Sequence, residues 1–383
     1  MKRLLCAAAA LIAGTASFFA VEWGGKIAND TSFMGKADDL KLKQSDTAGL
    51  WMNIPLNRTN SVYIAAEAYY KFTYDDTETA DEEFENVINC NLLKFSAGWM
   101  AGNGNMISLS AGRFPVSDFT GIIFNQPADG LNFKVSSQAV DFSIFAGYTG
   151  LLNAKEVTIL TPADTEYEES DDDFYAFAPK YLPFGFSFAF PSVFGNQHIS
   201  LEGWGFADLN GDDCNRYYGM LGMDGYLLRN LSYNVKTVFG TKNFDSLMNF
   251  SSLSFDLNPA GNFGIRLYGT YASGKQGSLS AFSGFTSMTA VSTRFADLEY
   301  SSMITGGLQL SNVFAGVLYA SLGGAVLFEC PDSSVEYFGM QLSADLLWNI
   351  FYDVQLGLSA SQFIGDDSDN SKTTLSVKAV IAF

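Results

Sequence analysis

The residues that most often carry enzyme chemistry are sparse in this chain. His198 is the only histidine, so the residues for a histidine metal cluster or a Ser-His-Asp triad are missing. Beyond residue 20 the cysteines are Cys90, Cys214 and Cys330, which are far apart and form no CxxC pair. That spacing argues against a disulfide framework and against a zinc site. We therefore expect no enzyme activity, no cofactor and no metal.

Charged side chains instead recur on one face of segments whose other face is apolar. In 61–74 the even-numbered positions run from Val62 to Tyr74 and are apolar, whereas Glu67 and Lys71 fall on the odd-numbered face. An unpaired charge in a dry core would cost several kcal/mol, so the charged face needs water. The predicted water-facing charges are Glu67, Lys71, Lys94, Lys134, Asp141, Glu202, Asp224, Lys236, Arg266, Asp345, Asp353 and Lys378.

The same alternation recurs along the chain with a period of two, which is the side-chain period of a β-strand. Clear examples are 140–149, 231–239, 263–271 and 338–348. Their lengths match strands that cross a membrane at a tilt. The segments predict an all-β protein, a transmembrane antiparallel up-and-down β-barrel of about 18 strands, with 16 to 20 also compatible.

The links between these segments alternate in length, as in outer-membrane barrels with short periplasmic turns and longer extracellular loops. Short links are predicted at 57–60, 101–105, 136–137, 229–230, 259–262, 311–312 and near Asn349. Long links are predicted at 31–46, 75–87, 114–128, 150–174, 208–215, 273–297, 329–335 and 363–371. A barrel this wide can hold an aqueous channel, whereas one of about eight strands is filled by its own side chains.

The last eleven residues, TTLSVKAVIAF, form the most regular strand and end on an aromatic side chain. The apolar face consists of Leu375, Val377, Ala379, Ile381 and Phe383. This ending resembles the C-terminal signal of bacterial outer-membrane β-barrels, which the barrel-assembly machinery reads. The resemblance implies a multi-pass protein in the outer membrane of a diderm bacterium, with lipid and that machinery as partners.

The start of the chain reads as an export signal. Lys2 and Arg3 precede a short apolar run and then small residues, which is the layout of a cleaved signal peptide in 1–20. The remaining 21–383 is predicted to be one barrel domain. Without Lys2 and Arg3, 20 basic residues face 41 acidic ones, a net charge of -21. Such a surface repels nucleic acid, so nucleic-acid binding is excluded.

One long link, 114–128, differs from the others because it is apolar. Its sequence FPVSDFTGIIFNQPA contains Phe119, Ile122, Ile123 and Phe124 around Gly121. Such a loop is predicted to fold into the barrel mouth, and it resembles the third extracellular loop of general porins, which narrows their pore. Asp118 and Asp129, facing Arg113, Lys94 and Lys134, are the predicted constriction charges. Packing on a neighbouring loop or on another subunit is the equal alternative.

These features favour a porin-like channel that passes small hydrophilic solutes by diffusion. The acidic runs in 75–85 and 164–173 indicate a preference for cations, although the balanced charges of the predicted lumen weaken that inference. Two alternatives stay open: a surface adhesin or structural barrel with a plugged lumen, and, ranked lower, a transporter of hydrophobic compounds such as fatty acids. Both a homotrimer and a monomer fit the pattern.

Overall fold

A computed structural model describes residues 21–36, 39–76, 83–160, 174–193, 195–275, 277–286, 301–331, 334–366 and 371–383. The predicted signal peptide therefore lies outside the described residues. Eighteen antiparallel strands each pair with their neighbours in sequence, and β1 also pairs with β18, so the sheet closes into an up-and-down barrel. The predicted fold class is confirmed. Within the described ranges, helices of a length and apolarity suited to crossing a membrane are absent.

The strands, in chain order, are β1 (Glu22–Lys36), β2 (Asp39–Pro55), β3 (Val62–Asp75), β4 (Glu83–Met100), β5 (Met106–Ser117), β6 (Asn125–Ser136), β7 (Asp141–Tyr148), β8 (Tyr181–Phe190), β9 (Gln197–Asp208), β10 (Arg216–Leu228), β11 (Leu231–Lys242), β12 (Ser246–Ala260), β13 (Phe263–Ala272), β14 (Met303–Phe314), β15 (Leu318–Glu329), β16 (Glu336–Asn349), β17 (Val354–Gly365) and β18 (Lys372–Ala382).

The terminal strand closes the barrel. β18 pairs with β1 from Lys26 opposite Ala382 to Gly35 opposite Thr373. Beyond the last ladder pair, the Phe383 N–H donates to the Gly25 carbonyl at 3.0 Å, and the Gly25 N–H donates to the Phe383 carbonyl at 2.7 Å. The final residue thus completes the seam through its backbone.

The two ends of the barrel differ in link length. The turn end carries both described termini and the links 56–61, 101–105, 137–140, 191–196, 229–230, 261–262, 315–317 and 350–353. The loop end carries 37–38, 76–82, 118–124, 149–180, 209–215, 243–245, 273–302, 330–335 and 366–371. Three loops are used below: L3 is 118–124, L4 is 149–180 and L7 is 273–302.

Some predicted links were wrong. The long link at 31–46 is instead the upper part of the β1–β2 hairpin, paired from Thr31 opposite Gln44 to Lys36 opposite Asp39. The turn predicted at 311–312 lies at 315–317, where Ala315 (φ 51°) and Gly316 (φ 71°) adopt the left-handed conformation of a tight hairpin. The links 191–196 and 243–245 were not predicted, and the second is a short link at the loop end.

The main apolar core lies inside the barrel, toward the loop end. It joins strand residues of β5 to β13 to side chains of L3, L4 and L7, and the rings of Phe206 and Phe285 stack at 3.9 Å between centroids. Its buried members are Phe114, Ile123, Phe124, Ala128, Phe145, Leu152, Val157, Ile159, Ala178, Tyr181, Trp204, Phe206, Tyr218, Met220, Val238, Met248, Phe250, Ala272, Phe282 and Phe285. On this side, the barrel is filled by its own loops.

Candidate functional site

Loop L3 crosses the interior of the barrel and identifies the inward face of the strands. It leaves β5, returns to β6, and contacts β9 and β11 on another part of the wall. The Phe119 N–H donates to Glu202 Oε2 at 2.7 Å, and Lys236 Nζ donates to the Phe119 carbonyl oxygen at 3.0 Å. A loop that leaves the wall at β5 and β6 can reach β9 and β11 only by crossing the lumen of the closed barrel. The side chains of Glu202 and Lys236, which contact it, therefore point inward. Residues directly opposite each other on paired strands lie on the same face of the sheet. The inward face can therefore be followed from strand to strand around the barrel.

The predicted water-facing charges follow this inward face, with one exception. The cross-strand pairs that trace the inward face include Glu202 opposite Met220, Asp224 opposite Asn234 and Arg266 opposite Gln309. The residues on the inward face are Glu67, Lys71, Lys94, Lys134, Asp141, Glu202, Asp224, Lys236, Arg266, Asp345 and Lys378. Asp353 departs from the prediction because β17 begins only at Val354, which places Asp353 in a turn.

Several inward charges form ion pairs, some of them with acidic residues that sequence reasoning missed. Arg266 Nε lies 2.6 Å from Asp256 Oδ1 on the adjacent strand. Further ion pairs are Lys71–Glu156 at 3.0 Å, Lys378–Asp30 at 3.6 Å and Lys134–Asp141 at 4.0 Å between nitrogen and oxygen. His198 Nδ1 lies 3.4 Å from Asp224 Oδ2. Asp30 and Asp256 could have been found by alternation along their strands. Glu156 could not, because it reaches the wall from L4.

Asp118 organises L3 instead of carrying an exposed constriction charge. One carboxylate oxygen accepts the N–H groups of Thr120 (2.7 Å) and Gly121 (3.0 Å), and also the Thr120 hydroxyl. The other oxygen accepts the N–H groups of Ile123 (2.9 Å) and Phe124 (2.8 Å). Gly121 has φ +71°, a conformation that glycine adopts without strain. The carboxylate thus folds the loop around itself and is only 3 % exposed.

Arg113 and Asp129 also differ from the predicted arrangement. They form a two-pronged pair, with Nε to Oδ1 at 2.9 Å and Nη2 to Oδ2 at 2.7 Å. The next pair along β5 and β6, Phe114 opposite Ala128, belongs to the interior core, so the Arg113 pair points to the other side of the sheet. Arg113 donates further to the Leu151 carbonyl at 2.6 Å and anchors L4. Asp118 therefore does not face it.

The three inner loops are joined to one another by backbone hydrogen bonds. The Phe285 N–H of L7 donates to the Ile123 carbonyl of L3 at 3.1 Å, and the Leu160 N–H of L4 donates to the Phe285 carbonyl at 3.0 Å. The apolar L3 thus lies in the lumen, as its composition predicted, and it also packs on neighbouring loops. The contributions of L4 and L7 were missed, although LLNAKEVTIL and SAFSGF are apolar stretches within long links.

L3 lies between two cavities of the described interior. A cavity of about 780 Å³ lies between the L3 tip and β10 to β16, and it is lined mainly by hydroxyl and amide side chains. Its charged side chains are two acids and two bases, Asp224, Asp256, Lys236 and Arg266. A smaller cavity of about 450 Å³ lies on the β4 to β9 side, next to Lys94, Ser110 and Glu202. Lys94 Nζ there sits 5.4 Å from the ring centre of Tyr63.

This architecture is shared with solved outer-membrane proteins. The outer membrane protein opdK of Pseudomonas aeruginosa superposes with a TM-score of 0.62 at 10 % identity, covering 94 % of this chain and 99 % of its own. OccAB4 of Acinetobacter baumannii gives 0.61 at 11 % identity, with 94 % and 98 % covered. The outer membrane protein OprD of P. aeruginosa gives 0.58 at 11 % identity, with 95 % and 93 % covered. The fold is that of an outer-membrane barrel.

The similarity is one of fold, since these identities are too low to carry residue roles. No family model and no curated protein matches the sequence. The function of this barrel must therefore be argued from its own lumen.

Proposed function

We propose that this chain is an outer-membrane channel through which small hydrophilic solutes diffuse passively. The observation that carries the proposal is the cavity of about 780 Å³ beside the L3 tip, lined by serine, threonine, asparagine and glutamine side chains. Such groups replace part of the hydration shell of a passing solute. The outer-membrane location is supported by the fold shared with opdK and OprD.

The charges at this cavity are balanced, which bears on selectivity. Arg266 is paired with Asp256 at 2.6 Å, and Lys236 donates to the L3 backbone. The cavity wall thus gives little reason to prefer one sign of ion. Any preference for cations is assigned to the acidic runs of 75–85 and 164–173, most of which lie outside the described residues, and it would then depend on ionic strength.

A second candidate, a plugged structural or adhesive barrel, is favoured by one observation. The apolar core of L3, L4 and L7 fills the interior against β5 to β13, and Phe282 and Phe285 within it are fully buried. A plugged barrel and a channel differ in whether the polar cavity beside the L3 tip is continuous with both sides of the membrane. Conductance distinguishes them.

The experiment is single-channel recording of the refolded mature chain in planar bilayers. Ser343 lines the large cavity, whereas its neighbour Leu342 points outward and is 45 % exposed. Ser343→Trp is expected to lower the conductance, and the matched control Leu342→Trp is expected to leave it unchanged. Absence of conductance from a folded parent barrel would reject the channel and favour the plugged barrel. Equal conductance in both variants would show that the pathway avoids this cavity.

A further inference from the structure

Four polar side chains lie on the outward face of β1 and β2, where alternation places lipid-facing residues. Asn29 Nδ2 and Gln44 Nε2 each donate to one oxygen of Asp46 at 2.7 Å, and Thr31 Oγ1 donates to Asn29 Oδ1 at 3.1 Å. We call these four residues the Asp46 cluster. The cluster faces outward because Asp30, next to Asn29, points into the lumen toward Lys378.

The Asp46 cluster lies at the depth of the membrane's apolar layer. Trp23, opposite Met52, is 71 % exposed near the turn end, the position of an interfacial aromatic residue. Asn29 and Asp46 are opposed six positions further up the same ladder. At about 3.3 Å per residue and a tilt near 40°, six residues rise about 15 Å into an apolar band about 25 Å tall.

The residues around the cluster confirm that this face is otherwise apolar. Ile27 and Leu50 below it are 54 % and 62 % exposed, and Phe33 above it is 41 % exposed. At this depth a carboxylate and two amides would lose their hydrogen bonds to water, and lipid tails offer no hydrogen-bonding groups in exchange. Exposing them to lipid therefore costs free energy. The hydrogen bonds within the cluster reduce that cost but leave the outer side of each polar group facing the acyl chains. A protein surface would supply the missing partners.

Three alanines lie near the cluster and leave room for close contact with another protein, whereas the aromatic Phe72 and Tyr74 lie opposite Asp46 and Gln44 on β3. Ala48 follows the cluster on β2, Ala379 lies opposite Asn29 on β18, and Ala68 lies opposite Leu50 on β3. On the other side of the barrel, β8 presents a bulky outward row in which Phe184 and Phe186 are 46 % and 49 % exposed. Small residues mark packed surfaces between membrane segments, whereas large apolar ones suit lipid.

We propose that this face, formed by β18, β1, β2 and β3 around the Asp46 cluster, is an interface with a second copy of this chain. The cluster contains both donors and acceptors: each amide nitrogen carries a second N–H, and each Asp46 oxygen has further lone pairs. One copy can therefore complete the hydrogen bonding of another. Four strands about 4.8 Å apart and about 25 Å tall give about 1,000 Å² over two copies, the lower limit for a specific interface.

Cysteine cross-linking in native outer membranes tests the proposal. Ala48→Cys is placed within the proposed interface, and Phe186→Cys is the matched control on the lipid-facing wall. With a short bis-maleimide, Ala48→Cys is expected to give bands at multiples of the chain mass in at least tenfold excess over Phe186→Cys. Equal cross-linking of the two variants would overturn the interface. A product at any other mass would overturn the second copy as its occupant.

A second variant tests the role of the polar groups. Replacing Asn29, Gln44 and Asp46 together by leucine makes this face suitable for lipid, so the barrel is expected to fold and to sediment as a monomer in detergent. Retention of the parent's oligomeric mass would overturn the proposal, as would a monomeric parent in mild detergent and in membranes. If the triple variant does not fold, the Ala48→Cys comparison decides on its own.

Discussion

Replacing Asp118 by alanine is the sharpest test of how L3 is held. The carboxylate accepts four backbone N–H groups of the loop at 2.7 to 3.0 Å and is almost completely buried. A hydrogen bond to a charged group contributes about 1.5–3 kcal/mol. Because water can reach some of the released donors, we take the total loss as about 3–6 kcal/mol, which shifts the equilibrium between folded and displaced L3 by about 10² to 10⁴.

A displaced L3 no longer separates the two cavities of about 780 and 450 Å³. Single-channel conductance is therefore expected to rise by roughly one half in Asp118→Ala, with noisier open levels. Asp141→Asn is the control, because it removes a carboxylate from the inward face at the turn end of β7, away from L3. Unchanged conductance in Asp118→Ala, or an equal rise in both variants, would refute the reasoning.

Three further predictions concern the lumen, the seam and a buried thiol. In a salt gradient, Asp256→Asn is expected to shift the reversal potential toward anion selectivity and Arg266→Gln toward cation selectivity. Each variant leaves the charge of the other residue unpaired, so shifts of the same sign would contradict the pairing. Deletion of Phe383 removes two backbone hydrogen bonds at the seam and should lower the fraction of heat-modifiable, folded barrel on gels. Burial and a neighbouring carboxylate raise the pKa of the Cys330 thiol, so maleimide should label it more slowly than the partly exposed Cys90, and the two rates should converge only after unfolding.

The strands were predictable where each had one lipid face and one water face. β3 and β18 alternate without interruption, and their pattern alone gave their position and orientation. The tilt and pairing then follow from closure of the sheet. Links were predictable where they contained Gly, Asn or Pro next to a regular strand, as at 101–105. The link 191–196 was missed although it contains Pro191, Gly195 and Asn196, because the strand boundaries before it, in 158–191, are weak in the sequence.

The candidate site was only partly predictable, because its geometry depends on contacts between residues far apart in sequence. Alternation placed Glu202 and Lys236 on the inward face, but nothing in their own strands showed that both hold Phe119 of L3. Likewise, Asp118 reads as a pore charge in sequence, yet the loop closes around it. A charged residue in a loop can bind solute or satisfy the loop's own backbone, and only the fold distinguishes these roles.

The two largest departures from the simple barrel pattern have a common physical origin. L4 and L7 carry apolar side chains in links that alternation assigns to water, and they are found packed inside the barrel around Phe285. The β1–β2 hairpin carries Asn29 and Asp46 on positions that alternation assigns to lipid, and its segment 31–46, predicted to be a long link, is paired strand. In each case, the polarity of the side chains does not match the environment, water or lipid, that the alternation pattern assigns to them. The apolar side chains of L4 and L7 are buried inside the barrel. The polar side chains of the β1–β2 hairpin have no partners on the described barrel face beyond their own cluster, which is why we assign them to contact with another copy.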